Sequence, residues 1–294
     1  MECRIALFSS EGGEYQMRLR DDCNEAARRY GFPMRSFVAD NDAQKQVVQI
    51  ETCLREPPDR RPTVVIVSPV REIALLSVAH AAARAGVGWV VLLRWSDYVL
   101  DLREAFPHLP IFVVMPDQTA IGRIQAQQFK ALLRRGGEVV YIRGPLGTSS
   151  AVRRFEAAQQ ELKGSPITMF TLTSDWTLQG GAEVMGEWIR IFKKGDLPRF
   201  IVGAQNDAMA MGARSVLEKH ASQSTRFLGC DGSPGYGQRL VNEGKLTATV
   251  IMPLACGKAV AAIASMQYGG ARPEASIVLQ PASFPQLSAL AGST

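Results

Sequence analysis

The chain has 294 residues, 46% of them hydrophobic and 21% charged, and carries a formal net charge of +5. That length gives room for about two domains, and the composition is that of an ordinary globular protein. Arg and Lys are scattered rather than clustered, which speaks against a nucleic-acid-binding stripe, and no apolar run approaches the ~18 residues of a membrane span.

Residues 4–8 (Arg-Ile-Ala-Leu-Phe) form a short apolar run and read as the first strand. Residues 14–30 place Met17, Cys23, Ala26, Ala27 and Tyr30 at helical spacing, and Gly31 stands where a C-terminal cap is expected. A strand over 34–38 and an amphipathic helix over 43–54 follow, the helix ending before Pro57-Pro58. The β-branched run 63–67 (Thr-Val-Val-Ile-Val) reads as a buried parallel strand. An Ala-rich helix over 72–85 and a strand over 88–93 continue the alternation. The rhythm breaks at 94–110, and a strand over 111–115 closes this block.

The alternation restarts with a helix over 117–135. Strands are expected at 138–143, 167–173, 200–202, 226–230 and 246–251, with helices at 150–162, 178–193, 207–219 and 235–243. A helix over 254–268 and a strand over 276–279 close the chain, and the tail from Gln280 reads as polar and Pro-containing. Repeated βα units imply an α/β fold of parallel sheets with helices on both faces. The two similar blocks imply two doubly wound lobes. The second block ends before the last helix, so the chain is expected to cross between the lobes more than once. A cleft between two such lobes is the geometry of a hinged binding protein.

In open α/β sheets, ligands bind at the carboxyl ends of the strands. Two strand ends carry polar clusters, Gln205-Asn206-Asp207 and Asp231-Gly232-Ser233, and Asn206 and Asp231 are the first candidates for ligand contacts. Tyr15, Trp95 and Trp176 also stand beside strand ends. Arg94 ends the fourth strand, and Arg154 lies on the helix after 144–148. Rings to pack on C–H faces, with Asp, Asn and Arg to satisfy hydroxyls, suit a carbohydrate.

Signals for catalysis are thin. His80, His108 and His220 are isolated, and neither a G-x-S-x-G elbow nor a P-loop lysine occurs. Glu11-Gly12-Gly13-Glu14 occupies the place of a phosphate loop, yet it lacks the glycine spacing and its glutamates would repel phosphate. The five cysteines (Cys3, Cys23, Cys53, Cys230, Cys256) form no C-x-x-C pair and read as small buried thiols. No enzyme, metal or cofactor is expected.

The segments Gly147-Thr-Ser-Ser-Ala-Val-Arg-Arg-Phe, Ala204-Gln-Asn-Asp-Ala-Met-Ala-Met-Gly-Ala, Gly229-Cys-Asp-Gly-Ser-Pro and Asn242-Glu-Gly-Lys-Leu-Thr-Ala-Thr-Val resemble periplasmic sugar-binding proteins of the ribose-binding type. That family shares its fold with the ligand domains of lactose-repressor-type regulators. The resemblance covers about residues 4–280. It implies a type I periplasmic binding protein fold, with an N-terminal lobe of 1–115 plus 254–279 and a C-terminal lobe of 117–250 plus 281–294. Hinge crossings would lie near 115–117, 249–253 and 279–281. It also implies ligand contacts at Tyr15, Gln16, Arg94, Arg154, Trp176, Asn206 and Asp231. The partners implied are a small carbohydrate and the permease of an ABC transporter, with no nucleic acid, and a monomer is expected.

Three departures mark this chain. Gly13 stands where ribose binders carry Asn, Leu93 replaces a carboxylate, and Ile251 or Met252 replaces a glutamine. Ribose itself is therefore not expected, and two arginines against one aspartate point to an anionic ligand such as a sugar acid. The resemblance implies a periplasmic location. The absence of a recognisable signal peptide leaves a trimmed leader or a cytoplasmic protein as the alternatives. A ligand-sensing domain that signals through a receptor or regulator, without DNA binding of its own, is the second functional reading.

Overall fold

A computed structural model describes residues 3–191, 200–220 and 225–291. The chain divides into two compact units, residues 1–116 with 253–279 and residues 117–252 with 280–294. Three chain crossings link the units, at 116/117, 252/253 and 279/280.

The first unit is built on β1 (Ile5–Ser9), β2 (Met34–Val38), β3 (Val64–Val67), β4 (Gly88–Leu92), β5 (Ile111–Pro116) and β11 (Ser276–Leu279). They form one parallel sheet in the order β11-β5-β4-β3-β1-β2. β1, β3 and β4 are buried along their whole length, as their continuous apolar runs require. The outer strand β2 instead carries exposed residues. Helix α1 (Glu14–Tyr30) ends on Gly31 at φ 70°, a left-handed conformation that glycine adopts without steric cost. Helix α2 (Ala43–Leu54) begins at Asp42, whose carboxylate accepts from the N–H groups of Gln44 and Lys45.

The expected helix over 72–85 is a 3₁₀ turn, Ile73–Leu75, continuing into α3 (Leu76–Arg84). The region 94–110, where the alternation breaks and no element was assigned, holds α4 (Tyr98–Ala105). Tyr98, Val99 and Leu102 supply its buried face, and the stripe is too short to register against Pro107 and Pro110. Helix α10 (Cys256–Gln267) packs on α1. There the Gly257 N–H donates to the Asp22 carboxylate at 2.6 Å.

The second unit centres on β6 (Gly137–Arg143), β7 (Ile167–Thr173), β8 (Phe200–Ala204) and β9 (Phe227–Leu228). They form a parallel sheet in the order β7-β6-β8-β9. Alternate residues of β6 face opposite layers, as the two-residue period of a strand demands. Val140 and Ile142 pack with α7 (Leu178–Ile189) and α8 (Asp207–His220). Val139 and Tyr141 pack with α5 (Gln118–Leu132) and α6 (Ser149–Leu162). The expected extension of α7 to residue 193 lies outside the described residues.

Three local expectations change. The helix expected over 235–243 opens as a π-helical turn, Pro234–Gln238, before the short α9 (Arg239–Asn242). The strands expected over 226–230 and 246–251 shorten to β9 and to β10 (Thr249–Ile251). The tail is ordered as β12 (Ala282–Phe284) and α11 (Leu287–Ala291). β12 pairs antiparallel with β10, the one departure from parallel pairing among the described strands. Its polar residue has a partner, since Gln128 donates to Ser283 Oγ at 2.9 Å and to the Thr249 carbonyl at 3.1 Å. Leu290 is buried with the core of this unit. Buried partners thus order a polar, Pro-containing segment to which the sequence reading assigned no element.

Candidate functional site

The residues singled out from the sequence gather at the carboxyl ends of the strands, in each unit separately. In the first unit, Tyr15 and Gln16 sit in the first turn of α1 and are both buried. The Tyr15 hydroxyl donates to the Pro253 carbonyl at 3.2 Å. Gln16 Nε2 donates to Ser10 Oγ at 3.2 Å and to Ser68 Oγ at 2.9 Å, which ties together the ends of β1 and β3. Its Oε1 is buried without a partner. Arg94 donates to the Val70 carbonyl at 3.1 Å. Trp95 is anchored through its indole N–H to the Asp97 carboxylate at 2.7 Å.

In the second unit the structure brings Arg154, Trp176 and Asn206 together. Arg154 is only 4% exposed. Its Nε donates to Gln118 Oε1 at 2.7 Å and its Nη1 to the Gln205 carbonyl at 2.7 Å. Its remaining contacts are two sulfur atoms, Met252 Sδ at 2.9 Å and Cys230 Sγ at 3.7 Å. The guanidinium lies 5.7 Å from the centroid of the Trp176 ring, within cation–π range. Burial together with the nearby Asp231 and Asp207 carboxylates would hold the Cys230 thiol protonated; burial is the largest cause, and its pKa is pushed up to about 12 against the pull of Arg154.

Asn206 fixes the Trp176 loop. Its Nδ2 donates to the Trp176 carbonyl at 2.7 Å, while its Oδ1 accepts from the Met209 N–H at 2.8 Å. The Trp176 ring lies against Gly144, where an added Cβ would stand 2.1 Å from the indole. Asp231 pairs through its backbone with the end of β10, in a bridge to Ile251 and a hydrogen bond from the Met252 N–H at 3.1 Å.

Several residues of this neighbourhood were not among the candidate contacts, although Gln205 and Asp207 belong to the polar cluster read from the sequence. Gln205 is fully buried and clamps two segments, accepting from the Gly144 N–H at 3.0 Å and donating to the Ala151 carbonyl at 3.0 Å. Asp207, 1% exposed, accepts from Thr249 Oγ1 at 2.7 Å and from the Gly232 N–H at 2.9 Å. It is a second carboxylate beside Asp231, so the tally of two arginines against one aspartate undercounts the negative charge. Arg143, at the end of β6, is a further buried cation. The signal for Asp207 was its place directly after Asn206 at a strand end. For Arg143 the available cue was a cation closing an apolar strand.

Backbone geometry also marks these strand ends. The five non-glycine residues with positive φ among the described residues are Asp40, Asn41, Leu93, Trp176 and Asp231. All follow the ends of β2, β4, β7 and β9. Such conformations cost on the order of 1–3 kcal/mol each and persist where the surroundings enforce them, often at binding sites. A set of carboxylates, amides, guanidinium groups and an aromatic face held this way can orient hydroxyl groups and cover a C–H face. Among the described residues no group of His, Cys, Asp and Glu is placed to hold a metal ion.

The ribose import binding protein RbsB of Escherichia coli is 24% identical over 248 residues, which covers 84% of this chain and 78% of that protein. An ABC transporter solute-binding protein of Bacillus halodurans, solved with bound myo-inositol, superposes with a TM-score of 0.82 at 22% identity, covering 98% of this chain and 96% of that one. The fructose-binding periplasmic domain of a hybrid two-component system superposes with a TM-score of 0.81 at 21% identity, covering 96% and 90%. A family model described as a periplasmic binding protein domain matches residues 5–271. The chain therefore belongs to the periplasmic binding protein family, with the type I fold.

Proposed function

We propose that this chain is a non-catalytic solute-binding protein that captures a small carbohydrate and presents it to the permease of an ABC transporter in the periplasm. The observation that carries the reading is the strand-end cluster of Arg154, Trp176 and Asn206 in a member of this family. Trp176 offers a ring face to the sugar. Arg154 offers N–H groups now held only by weak sulfur acceptors, which a ligand oxygen would replace. Asp231 accepts from hydroxyls. Tyr15, Gln16 and Arg94 supply the contacts from the first unit, and the three chain crossings act as the hinge. Binding favours the state in which all these groups reach the ligand.

A permease partner is supported by large apolar side chains exposed beside strand ends, Ile73 at 77% and Leu76 in the first unit, Leu146 at 63% and Leu178 in the second. The likeness to the periplasmic domain of a two-component system favours a second reading, in which the liganded chain signals to a receptor. Capture of the partner by the liganded protein separates the two.

The test is a thermal-shift screen over pentoses, hexoses, inositols, sugar acids and sugar phosphates. A ligand at 100 times its Kd adds about 2.7 kcal/mol of stability if it binds only the folded state. A shift for one carbohydrate class that disappears in Arg154→Ala and in Asp231→Ala is the expected result. Silence across every class sinks the proposal.

A further inference from the structure

Helix α10 lies on α1 within the first unit, and two cysteines meet where the helices touch. Cys23 belongs to the buried stripe of α1 made by Tyr15, Leu19, Cys23 and Ala27, and Cys256 is the first residue of α10. Both side chains are fully buried, and both thiols are free in this structure. The Cys256 S–H donates to the Cys23 sulfur. Their sequence neighbours are bonded as well. The Gly257 N–H donates to the Asp22 carboxylate at 2.6 Å, between residues 235 apart in the chain. Gly257 permits that approach, because a Cβ there would stand 2.6 Å from Asp22 Oδ1. At the other end, Tyr268 stacks on Phe32 with 6.4 Å between ring centroids, and its hydroxyl donates to the Tyr30 carbonyl at 3.4 Å. The two helices are therefore tied at both ends of their contact, and the thiols are held against each other. The remaining cysteines have different neighbours: Cys3 bonds with Thr63, Cys53 lies by Arg35 and Glu56, and Cys230 lies by Arg154.

Burial, followed by the hydrogen bond to Cys23, holds the Cys256 thiol protonated well above its ordinary range. The thiolate is the nucleophile of disulfide exchange, so the folded, reduced pair is inert toward dissolved disulfides. Exchange belongs to the stage at which the chain is still open and both thiols are wet. One thiolate attacks a small disulfide such as oxidised glutathione, displacing one glutathione thiol and leaving a mixed disulfide. The second thiolate attacks the protein sulfur of that bond and displaces the second glutathione thiol. Two protein thiols become one disulfide, and the small disulfide takes up their two electrons and two protons. From hydrogen-bond contact, rotation of the two side chains brings the sulfurs to the ~2 Å of the covalent bond.

We propose that Cys23 and Cys256 form a structural disulfide, made by thiol–disulfide exchange in an oxidising compartment, that fastens the returning helix α10 to α1. Such bonds persist in oxidising compartments, and this one would be buried away from reductant once the helices pack. A bridge between residues so far apart in sequence stabilises chiefly by constraining the unfolded chain. It also secures the first unit beside the 252/253 crossing, where the Pro253 carbonyl accepts from Tyr15 on α1.

The experiment unfolds the reduced protein in denaturant and refolds it with a mixture of oxidised and reduced glutathione, or with reductant alone. After oxidative refolding, alkylation under denaturing conditions should label three of the five cysteines, and peptide mapping should link Cys23 to Cys256. The bridged protein should melt about 5–15 °C above the reduced one. Reductant added to the folded, bridged protein should leave the bond intact, while reductant with denaturant opens it. Cys23→Ala and Cys256→Ala should each abolish both the link and the difference in melting temperature, and Cys53→Ala should keep both. Five labelled cysteines after oxidative refolding overturn the proposal. So does a link that joins a different pair, or a bridged protein that melts no higher than the reduced one. Should an alanine variant fail to fold, the peptide map of the wild type decides alone. None of these readouts needs a ligand, so silence in the carbohydrate screen leaves the bridge standing.

Discussion

The contact between Gly144 and Trp176 can be broken by a single methyl group. In Gly144→Ala the new Cβ would stand 2.1 Å from one indole carbon and 2.3 Å from the next. Real side chains do not approach so closely, so the ring must leave its place. The backbone at residue 144 is not left-handed, and alanine itself brings no conformational penalty there. The cost is therefore one of overpacking, about 1–3 kcal/mol. For a unit of this size that corresponds to a fall in melting temperature of about 2–12 °C. Displacing Trp176 also disturbs its cation–π contact with Arg154 and its tie to Asn206, so the ligand-induced thermal shift should shrink together with the stability. A double-mutant cycle isolates the contact. In a Trp176→Ala background, Gly144→Ala should cost almost nothing, giving a coupling of about 1–3 kcal/mol, whereas independent sites would be additive within about 0.5 kcal/mol. Additivity, or a Gly144→Ala protein with unchanged melting temperature and ligand response, would refute the proposed role of this glycine as the seat of the indole.

Two further substitutions probe buried carboxylates. Asp207→Asn keeps the shape but turns one acceptor into a donor facing the Gly232 N–H or the Thr249 hydroxyl. A loss of about 1–3 kcal/mol is expected in denaturant unfolding, from one buried group left unpaired; wild-type stability would show that the carboxylate is dispensable. Asp22 has its pKa raised, chiefly by burial, against the hydrogen bond from the Gly257 N–H. A raised carboxyl binds protons more readily in the folded state, so its contribution is fully favourable below 3.8 and declines as pH rises through the elevated folded value. Asp22→Asn should remove that part of the slope of stability against pH while preserving an acceptor for Gly257; an unaltered slope counts against the assignment.

Much of the fold could be read from periodicity because burial is one-sided in helices and complete in the central strands. The bounds of α1, α2, β2, β7 and β11 emerged from spacing and caps alone. The misses share a cause. Helix α4 has a short apolar face between prolines, and β12 is held by Gln128 and by β10, partners distant in sequence. Local pattern carries no trace of such partners. At the site, strand-end logic pointed to Trp176, Asn206 and Asp231, because a polar or aromatic residue closing an apolar run is conspicuous. Gln118 was not singled out, and Gln205 and Asp207 were noted only as members of a polar cluster, because their work is internal: each satisfies another buried group, and that is visible only when the partner is in place. Arg143 was read only as the last residue of a strand, and its burial and its packing on Phe155 emerge from the fold.

The pairing of α1 with α10 has a consequence for how the polypeptide emerges during synthesis. The Asp22 carboxylate waits for an N–H that arrives 235 residues later, and the β11 edge of the first sheet is added later still. The second unit likewise lacks its β12 partner until residues 282–284 have been made. Each unit therefore waits for a strand from beyond residue 275 before its pairings are complete. For a chain threaded across a membrane before it folds, as the proposed periplasmic destination requires, that order leaves both units short of a strand until the segment 276–284 has been made.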